Sequence, residues 1–259
     1  AMSLRRGRCT LAAVSGVNML LLPQTFIACC QAHMLSVSGH CRTFDTSASG
    51  YARGEGCGSQ IIEPFTDRVS LVSLGGSALN QDGRSANLTS PNGPAQQEVV
   101  LAALLEAGVL PQDLGFLETH GTGTELGDPI EVGALRAALG GTSRSTPLLL
   151  GAVKTNVGHL EGGAGMAGLM KLLSILMLRR APMNLHLRVL NGHLHQDRRG
   201  DAEHFMSELS CLELQRPTSA SVSSFGFGGT NGHVLLQVPT VKSLSDSGSL
   251  LVEPLVGKW

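Results

Sequence analysis

The sequence predicts an α/β protein with largely buried sheets. Apolar segments of strand length alternate along the chain with longer apolar segments of helical period, an arrangement typical of layered α/β folds. The 259 residues are 42% hydrophobic, so the chain can bury a substantial core as one large domain or two small ones. We detect no internal repeat with a period of roughly 20 to 50 residues.

The first helix of clear pattern is predicted to begin at Pro94, because proline suits the first helical position, and to stop at Gly108. Its apolar residues recur at spacings of three and four: Val99, Val100, Ala103, Leu104 and Ala107. Residues 114–119 are then predicted to form a short strand.

The second helix has local chemistry at both ends. Asp128 is predicted to cap it, with Pro129 in the first helical position and Glu131 completing an arrangement like a capping box. Gly140 and Gly141 are predicted to end it.

A strand over residues 148–153 and a helix over residues 162–178 are predicted next, joined by residues 154–159. The small residues at the start of this helix allow close approach of another backbone and indicate burial. A membrane span is the rival interpretation, but Lys171 and the glycines interrupt a stretch already short for a bilayer, so we predict no membrane span.

Composition argues against several classes of function. A net charge of −1 with 15% charged and 3% aromatic residues gives no surface suited to nucleic acid. The six cysteines lack C-x-x-C spacing, which favours reduced thiols in an intracellular protein and no disulfides. Cys29, Cys30 and Cys57 are expected to be packed thiols.

The sequence also supports predictions about the two ends of the chain. Three early arginines followed by apolar residues could imitate a signal peptide, but Ser15, Gly16 and Asn18 interrupt the apolar run, which favours a buried strand and loop. The Ser-rich residues 239–259 are predicted to be a linker or tail.

Three loops, each beside a predicted strand, hold the candidate functional residues: HGTGTELGDP (120–129), KTNVGHLEGGAG (154–165) and SSFGFGGTNGH (223–233). Loops held by rigid strands can converge on one site. His120 and His159 are flanked by small residues, so either ring N–H can reach a substrate oxygen. Taken singly, each histidine could be structural and Lys154 could be a solvated loop residue, but the three loops together favour catalysis.

Two other sites are considered and rejected. GFGGTN begins like a dinucleotide-binding loop, but Asn231 stands where the third glycine belongs, and no Walker lysine follows GTGTELGD. His193 and His195 lack a convincing set of further metal ligands, so we interpret them as surface loop residues and predict no metal site.

The combination of HGTGT, KTNVGHLE and SFGFGGTN in this order resembles the β-ketoacyl synthases (ketosynthases). NQDGRSANLTSPNGPAQQ and FDTSASGYARGEG resemble the modular, type I-like polyketide branch, and the similarity covers about residues 7 to 238. The resemblance implies a thiolase-like layered αβαβα fold, truncated at the N-terminus as the carboxyl-terminal portion of the domain. The implied divisions are 1–67 (end of the N-terminal half), 68–185 (C-terminal half), 186–238 (C-terminal extension) and 239–259 (linker or tail).

The resemblance also implies roles for individual residues. His120 and His159 would bind the thioester carbonyl of a malonyl group, while Lys154 would hold the site electrostatically. Phe227 would supply a backbone N–H to the oxyanion hole and a ring that gates the nucleophile. Thr122 and Thr124 would contact the phosphopantetheine arm, although turn-stabilising threonines are an open alternative.

The nucleophile of the family lies in an aspartate-threonine-alanine-cysteine-serine run, and no such run occurs in this sequence. Cys9 follows the place where that run belongs, so we reject it and expect no nucleophile in this chain. We therefore expect the chain alone to be inactive, and to be poorly soluble or to need its missing half.

The implied function is decarboxylative Claisen condensation of an acyl thioester with a malonyl thioester on an acyl carrier protein, in polyketide or fatty-acid biosynthesis. The alternatives are a noncatalytic ketosynthase-like subunit or pseudogene product, a binding module, and a thiolase. The two histidines on HGTGT and NVGHL, and the lack of a cysteine in a glycine-rich carboxyl-terminal loop, argue against the thiolase. The domain itself would bind no cofactor, because the phosphopantetheine belongs to the carrier protein. The complete domain is expected to be a homodimer. We expect an intracellular, cytoplasmic protein, and targeting to an organelle remains an open alternative.

Overall fold

The computed structural model describes residues 1–64, 72–83, 90–140, 144–195, 203–207, 210–211 and 219–238. The helices are α1 (Met2–Arg5), α2 (Pro23–Gln31), α3 (Gly93–Ala107), α4 (Gly127–Leu139), α5 (Lys154–Val157) and α6 (Ala164–Leu178). The strands are β1 (Ala12–Asn18), β2 (Gly56–Ile62), β3 (Ser73–Gln81), β4 (Leu114–Glu118), β5 (Leu148–Gly151), β6 (Arg180–Ala181), β7 (Glu203–Phe205), β8 (Ser210–Cys211), β9 (Ser219–Phe225) and β10 (Thr230–Gln237). The predicted tail, 239–259, lies outside the described residues.

The central sheet has six strands in the order β3-β10-β9-β4-β5-β7. Strand β10 is antiparallel to both β3 and β9, whereas β4 runs parallel to β9 and to β5. In register, Glu118 at the end of β4 pairs with Gly151 of β5 and Val222 of β9. Because parallel strands end at the same edge of a sheet, the segments that follow β4, β5 and β9 emerge side by side.

Helices cover both faces of this sheet. On one face α3 and α4 bury Val99, Val100, Leu104, Val132 and Leu135 against strand residues that include Leu114 and Leu117. On the other face α6 packs through Leu172, Ile175 and Leu176 against Phe116, Ala220 and Val222. Strand β4 therefore alternates its side chains between two cores, as a strand buried on both faces must.

A second, two-stranded sheet lies on the far side of α6. Strands β1 and β2 pair antiparallel from Ala12 opposite Ile62 to Asn18 opposite Gly56. Gly16 lies so close to α6 that a Cβ there would be 3.1 Å from the Cα of Gly163. The small residues at the start of α6 thus admit the close approach that the sequence predicted, and the layers follow in the order helices, sheet, helix, sheet.

The predicted helix forms as α3 and its predicted end is confirmed, because Gly108 ends it at φ 64°. Its start lies one residue earlier than predicted, at Gly93, where Asn92 is the N-cap and accepts a hydrogen bond from the Ala95 N–H at 3.2 Å. The capping prediction for α4 is wrong. The N-cap is Leu126, which has no side-chain cap, and the helix begins at Gly127. Asp128 and Glu131 are buried and accept hydrogen bonds from other segments, because backbone N–H groups of the preceding loop and of Phe44 compete for the same carboxylates.

Helix α6 belongs to the one described stretch, Glu161–Leu178, that is long and apolar enough to cross a membrane, with a mean hydropathy of 1.3. In the structure this helix lies between the two sheets and contributes to the core. Burial between protein layers accounts for part of its apolar composition, since 39% of the stretch is buried, whereas Met170, Met177 and Leu178 are exposed.

Two expectations about burial near the amino terminus are wrong. Strand β1 forms as predicted but is mostly exposed, and none of the residues of α2 is buried. Cys30 and Cys57 are exposed rather than packed, and Cys29 is half-buried. The physical reason is that nothing in the described structure covers α2 or the outer side of the β1–β2 sheet, where Val14 is 42% and Ile61 70% exposed.

Candidate active site

The segments after β4 and β5 bring His120 and His159 together. Their ring centroids lie 5.4 Å apart with the planes at 81°, and both residues are half-buried. The segment after β9 begins beside them, since the Phe225 ring lies 5.6 Å from that of His120. The convergence of the three loops that the sequence predicted is therefore realised around the two histidines.

The His120 loop is tied down by two buried carboxylates. Glu131 accepts the His120 N–H at 2.7 Å and the Gly121 N–H at 2.9 Å. Asp128 accepts the Gly123 N–H at 3.1 Å and the Phe44 N–H at 2.8 Å. Burial raises the pKa of Asp128 to about 6, against the lowering effect of these N–H donors, and burial also raises the pKa of Glu131.

Lys154 is buried, so the interpretation of a solvated loop lysine is wrong. It begins the short helix α5, and its Nζ donates to the His120 carbonyl oxygen at 2.5 Å and lies 3.5 Å from His120 Nδ1. Burial lowers the pKa of Lys154, whereas the carboxylates of Glu131 and Glu118 act in the opposite direction. The Lys154 ammonium thus contacts both the backbone carbonyl and the imidazole ring of His120.

The hydrogen bonds fix one tautomer for each histidine. Nδ1 of His120 accepts the Phe225 N–H at 3.3 Å, and Nδ1 of His159 accepts the Glu161 N–H at 2.8 Å. A neutral imidazole whose Nδ1 accepts a hydrogen bond carries its proton on Nε2. Both rings therefore have an Nε2–H free of these bonds.

Electrostatics keep the two rings neutral. Burial lowers the pKa of His120 well below its usual value, and the positive charge of Lys154 adds to this effect. Burial and then the charge of Lys154 lower the pKa of His159 to about 3. At neutral pH the site therefore presents two neutral N–H donors beside a buried lysine.

Residues 51–53 support the His159 side of the site, and sequence reasoning missed them. The His159 N–H donates to the Ala52 carbonyl at 2.7 Å, and the Tyr51 ring lies 4.9 Å from the His159 ring. Arg53 pairs with Glu161, with Nη2 to Oε2 at 3.0 Å. The sequence signal was the FDTSASGYARGEG motif, which indicated a resemblance but no particular contact.

Phe225, Asp128 and Glu131 were also missed as site residues. Glu131 lies eleven positions after His120 on the next helix, a spacing that returns its carboxylate to the start of the loop. At the level of sequence, helix capping was a sufficient explanation for Asp128 and Glu131. Their role in holding the His120 loop depends on tertiary contacts, so it was not predicted.

The other candidate residues lie in the loop after β4, in the turn after β9 and in a separate segment near residue 193. Thr122 and Thr124 have their hydroxyl oxygens 3.3 Å apart, and Thr124 Oγ1 accepts the Gly127 N–H at 3.1 Å, so Thr124 also stabilises its turn. Phe227 lies in the turn after β9 and is 55% exposed. His193 and His195 are exposed and belong to a separate part of the chain.

Two solved ketosynthases superpose closely on this chain. The ketosynthase from module 6 of the bacillaene synthase from Bacillus subtilis 168 matches with a TM-score of 0.87 and 31% identity, over 92% of this chain and 44% of that chain. The oxazolomycin ketosynthase domain OzmH KS7 of Streptomyces albus JA3453 matches with a TM-score of 0.86 and 33% identity, over 92% and 43% respectively. The fold is therefore thiolase-like, and the chain represents part of such a domain.

Comparison with protein-family models and with curated sequences identifies the same family. The model described as "Beta-ketoacyl synthase, N-terminal domain" matches residues 1–67, and "Beta-ketoacyl synthase, C-terminal domain" matches residues 71–188. A phenolphthiocerol/phthiocerol polyketide synthase of Mycobacterium tuberculosis is 44% identical over 243 residues, and erythronolide synthase EryA2 of Saccharopolyspora erythraea is 42% identical over 240. The chain belongs to the β-ketoacyl synthase family. The matches cover 91% of this chain but only 13% and 7% of those two relatives.

Proposed function

We propose that this chain is part of a ketosynthase domain of a polyketide synthase, an acyltransferase that condenses an acyl thioester with a malonyl thioester held on a carrier protein. The observation that carries the proposal is the pair of neutral histidines, whose Nδ1 atoms both accept backbone N–H groups and whose Nε2–H groups remain as donors. Two such donors suit a reaction in which negative charge develops on a single oxygen atom.

The condensation uses these donors in its decarboxylation step. The bond between the malonyl α-carbon and the carboxylate carbon breaks, carbon dioxide leaves, and the electron pair delocalises onto the thioester oxygen as an enolate. The Nε2–H groups of His120 and His159 donate to that oxygen and stabilise the developing charge. The enolate carbon then attacks the acyl thioester carbonyl, a carbon–carbon bond forms, and the thiolate that held the acyl group leaves.

Lys154 supports this step without transferring a proton to substrate. Its ammonium holds the His120 carbonyl at 2.5 Å, and its positive charge favours the neutral forms of both rings. A protonated imidazole would no longer accept the backbone N–H at Nδ1, and the orientation of the ring would be lost. The buried lysine therefore maintains both the geometry and the protonation state of the donors.

The remaining roles in the proposal concern substrate delivery. Thr122 and Thr124 contact the phosphopantetheine arm of an acyl carrier protein, and the Phe227 backbone N–H and ring contribute to the oxyanion hole and gate. The domain binds no cofactor of its own. The complete domain works as an intracellular, cytoplasmic homodimer.

The nucleophile in this proposal is a cysteine outside these 259 residues, so the chain by itself does not catalyse condensation. Cys9 lies in the sequence RCTL, which lacks the expected motif. Mass spectrometry of the longer protein that carries this chain, after incubation with an acyl thioester, should locate the acylated cysteine upstream of residue 1. A longer protein with no acylated cysteine would support a noncatalytic ketosynthase-like subunit instead.

The decisive experiment is malonyl decarboxylation by the protein that carries this chain together with its nucleophile. His120→Ala and His159→Ala are each expected to lower the rate of carbon dioxide release by about 100-fold or more, the usual effect of losing one oxyanion donor. His193→Ala is the matched control, because His193 is an exposed histidine outside the site. If all three variants decarboxylate at the same rate, the two histidines are not the donors.

A further inference from the structure

Arg53 and Glu161 form an ion pair through two parallel hydrogen bonds. Arg53 Nε donates to Glu161 Oε1 at 2.5 Å, and Arg53 Nη2 donates to Glu161 Oε2 at 3.0 Å. The arginine side chain is only 4% exposed, so this pair is largely shielded from solvent. A planar guanidinium that meets both oxygens of a carboxylate fixes the orientation of the carboxylate as well as its distance. The pair therefore restricts the position of residue 161.

Helix α2 holds the arginine from another direction. Arg53 Nη1 donates to Thr25 Oγ1 at 2.7 Å, and the guanidinium carbon lies 4.6 Å from the centre of the Phe26 ring. All three guanidinium nitrogens thus have an acceptor, and an aromatic ring packs against the cation. Arg53 is therefore a fixed anchor for Glu161.

Glu161 has a backbone conformation that a glutamate rarely adopts. Its φ is 43°, in the left-handed region where the Cβ of an L-residue is crowded. In this conformation its N–H donates to Nδ1 of His159, only two positions earlier, at 2.8 Å. A strained conformation persists only where surrounding contacts hold it. Both hydrogen bonds described for the Glu161 side chain come from Arg53.

The segment that carries Arg53 also holds the backbone of His159. The His159 N–H donates to the Ala52 carbonyl at 2.7 Å, and the Gly54 N–H donates to the His159 carbonyl at 3.0 Å. Arg53 lies between these two residues, and its side chain reaches Glu161. Three consecutive residues thus fix both the backbone of His159 and the donor to its ring.

The two histidines of the site differ in how the donor to Nδ1 is held. For His120 the donor is the N–H of Phe225, the last residue of β9, which pairs with Asn231 of β10. For His159 the donor belongs to the short turn Glu161–Gly163, which is not part of a sheet. The ion pair supplies for this turn the support that the sheet supplies for Phe225.

We propose that Arg53 is a positioning residue, whose ion pair with Glu161 keeps the Glu161 N–H on Nδ1 of His159 and thereby keeps the ring proton on Nε2. Arg53 itself contacts no substrate. Without the pair, residue 161 relaxes out of its left-handed conformation, Nδ1 loses its donor, and the ring divides between its two tautomers. In the second tautomer Nε2 is an acceptor and repels an enolate oxygen. This inference rests on the proposed function, because it takes the Nε2–H as a donor to that oxygen.

The kinetic test is malonyl decarboxylation by the protein that carries this chain together with its nucleophile. Arg53→Met should lower kcat about tenfold and change KM by less than about twofold, because the Nε2–H donor acts in the transition state. Arg136→Met is the matched control, since Arg136 of α4 also pairs with a glutamate, Glu203 of β7, and also donates to a backbone carbonyl. It should leave kcat unchanged.

A spectroscopic test needs no substrate. Nitrogen-15 NMR of histidine-labelled protein distinguishes the protonated from the unprotonated ring nitrogen, and the His159 signals are those that disappear in His159→Gln. We expect the Nε2–H tautomer alone in the unsubstituted protein and in Arg136→Met. Arg53→Met should show both tautomers.

A double variant tests whether the pair acts through the backbone of residue 161. Glycine adopts a φ of 43° without a crowded Cβ, so Arg53→Met combined with Glu161→Gly can keep the residue 161 N–H on Nδ1 without an ion pair. We expect its kcat to return to within about threefold of the unsubstituted protein, because the strain is removed. If Arg53→Met does not fold, Arg53→Lys replaces it, since lysine keeps the charge without the two-pronged geometry and should lower kcat in the same way.

Four results would overturn the proposal. An equal loss of kcat in Arg136→Met would mean that any lost ion pair weakens the enzyme, and a higher KM with unchanged kcat would mean that Arg53 serves substrate binding. A single Nε2–H tautomer in Arg53→Met would mean that the pair does not set the ring proton. A double variant no faster than Arg53→Met would mean that strain at residue 161 is not the cause.

Failure of the proposed function is separately visible. If the unsubstituted protein releases no carbon dioxide from malonyl thioester, the proposed reaction is wrong, yet the NMR comparison still applies. A mixture of tautomers in Arg53→Met, with a single tautomer in Arg136→Met, would support the positioning role of Arg53 even then. The same single tautomer in both variants would overturn it.

Discussion

Lys171 Nζ lies 2.8 Å from Oε2 of Glu118, and this ion pair is buried directly behind the two histidine segments. The Glu118 side chain is fully buried and that of Lys171 is only 8% exposed. Glu118 stands two residues before His120, and its other oxygen accepts the N–H of Val153, the residue before Lys154. One carboxylate therefore links the ends of β4 and β5 to the core helix α6.

Loss of the lysine should be costly for stability. Lys171→Met leaves a buried carboxylate without its cation, and we expect the free energy of unfolding to fall by about 3 kcal/mol. Urea denaturation of the folded protein measures this change. The double variant Glu118→Gln with Lys171→Met should recover part of the loss because it removes the unpaired charge. A double variant less stable than Lys171→Met would argue against charge burial as the cause.

Amide substitutions should report which nitrogen of His159 acts on substrate. The Gln side chain places an N–H near the Nε2 position, whereas Asn reaches only the Nδ1 position, where the Glu161 N–H is already bound. We expect His159→Gln to retain about tenfold more decarboxylation activity than His159→Asn. Rates of carbon dioxide release at saturating malonyl thioester decide this, and the reverse order would assign the donor to Nδ1.

Gly121 should tolerate no side chain. It has φ 48°, and a Cβ would lie 2.6 Å from Thr119 Oγ1 and 2.8 Å from Ala152 Cβ. We expect Gly121→Ala to lower the free energy of unfolding by about 3 kcal/mol, through left-handed backbone strain and overpacking. Gly133→Ala is the control: Gly133 is exposed on α4 with open space around it, so alanine should stabilise the helix by up to about 1 kcal/mol. Equal effects at the two positions would contradict the contact argument.

Acid should destabilise the fold through a third histidine, His233, which is fully buried. Burial lowers its pKa to about 3, and its Nδ1 lies 3.0 Å from the Ser223 hydroxyl. Between pH 6.5, the usual pKa of histidine, and about pH 3, the unfolded chain binds a proton that the folded chain does not. Stability linked to His233 is thus complete above pH 6.5 and decreases by about 1.4 kcal/mol per pH unit as the pH falls.

His233→Gln removes this linkage. The stability difference between the unsubstituted protein and the variant should therefore narrow by about 2 kcal/mol from pH 7 to pH 5, as measured by urea denaturation at each pH. His204→Gln, which replaces an exposed histidine, should show no such narrowing. A constant difference for His233→Gln would mean that the ring is protonated in the folded protein.

Much of the fold followed from local signals. Pro94, Gly108 and the apolar spacing between them predicted α3 because helix starts, stops and faces have chemistry that short segments contain. The order of the three glycine-rich loops predicted a single site because loops at the ends of neighbouring parallel strands must meet. The same signals could not predict which elements would be covered by others, as the exposed strand β1 and helix α2 demonstrate.

By itself, the sequence determined helices α3, α4 and α6, strands β4 and β5, the family resemblance and the two histidines, since these depend on residue types and short spacings. Only the tertiary structure decided that Asp128 and Glu131 hold the His120 loop instead of capping α4. It also decided the tautomers of the rings and the burial of Lys154. A buried backbone N–H takes whichever acceptor lies nearest in space, and that acceptor is set by packing between segments distant in the chain.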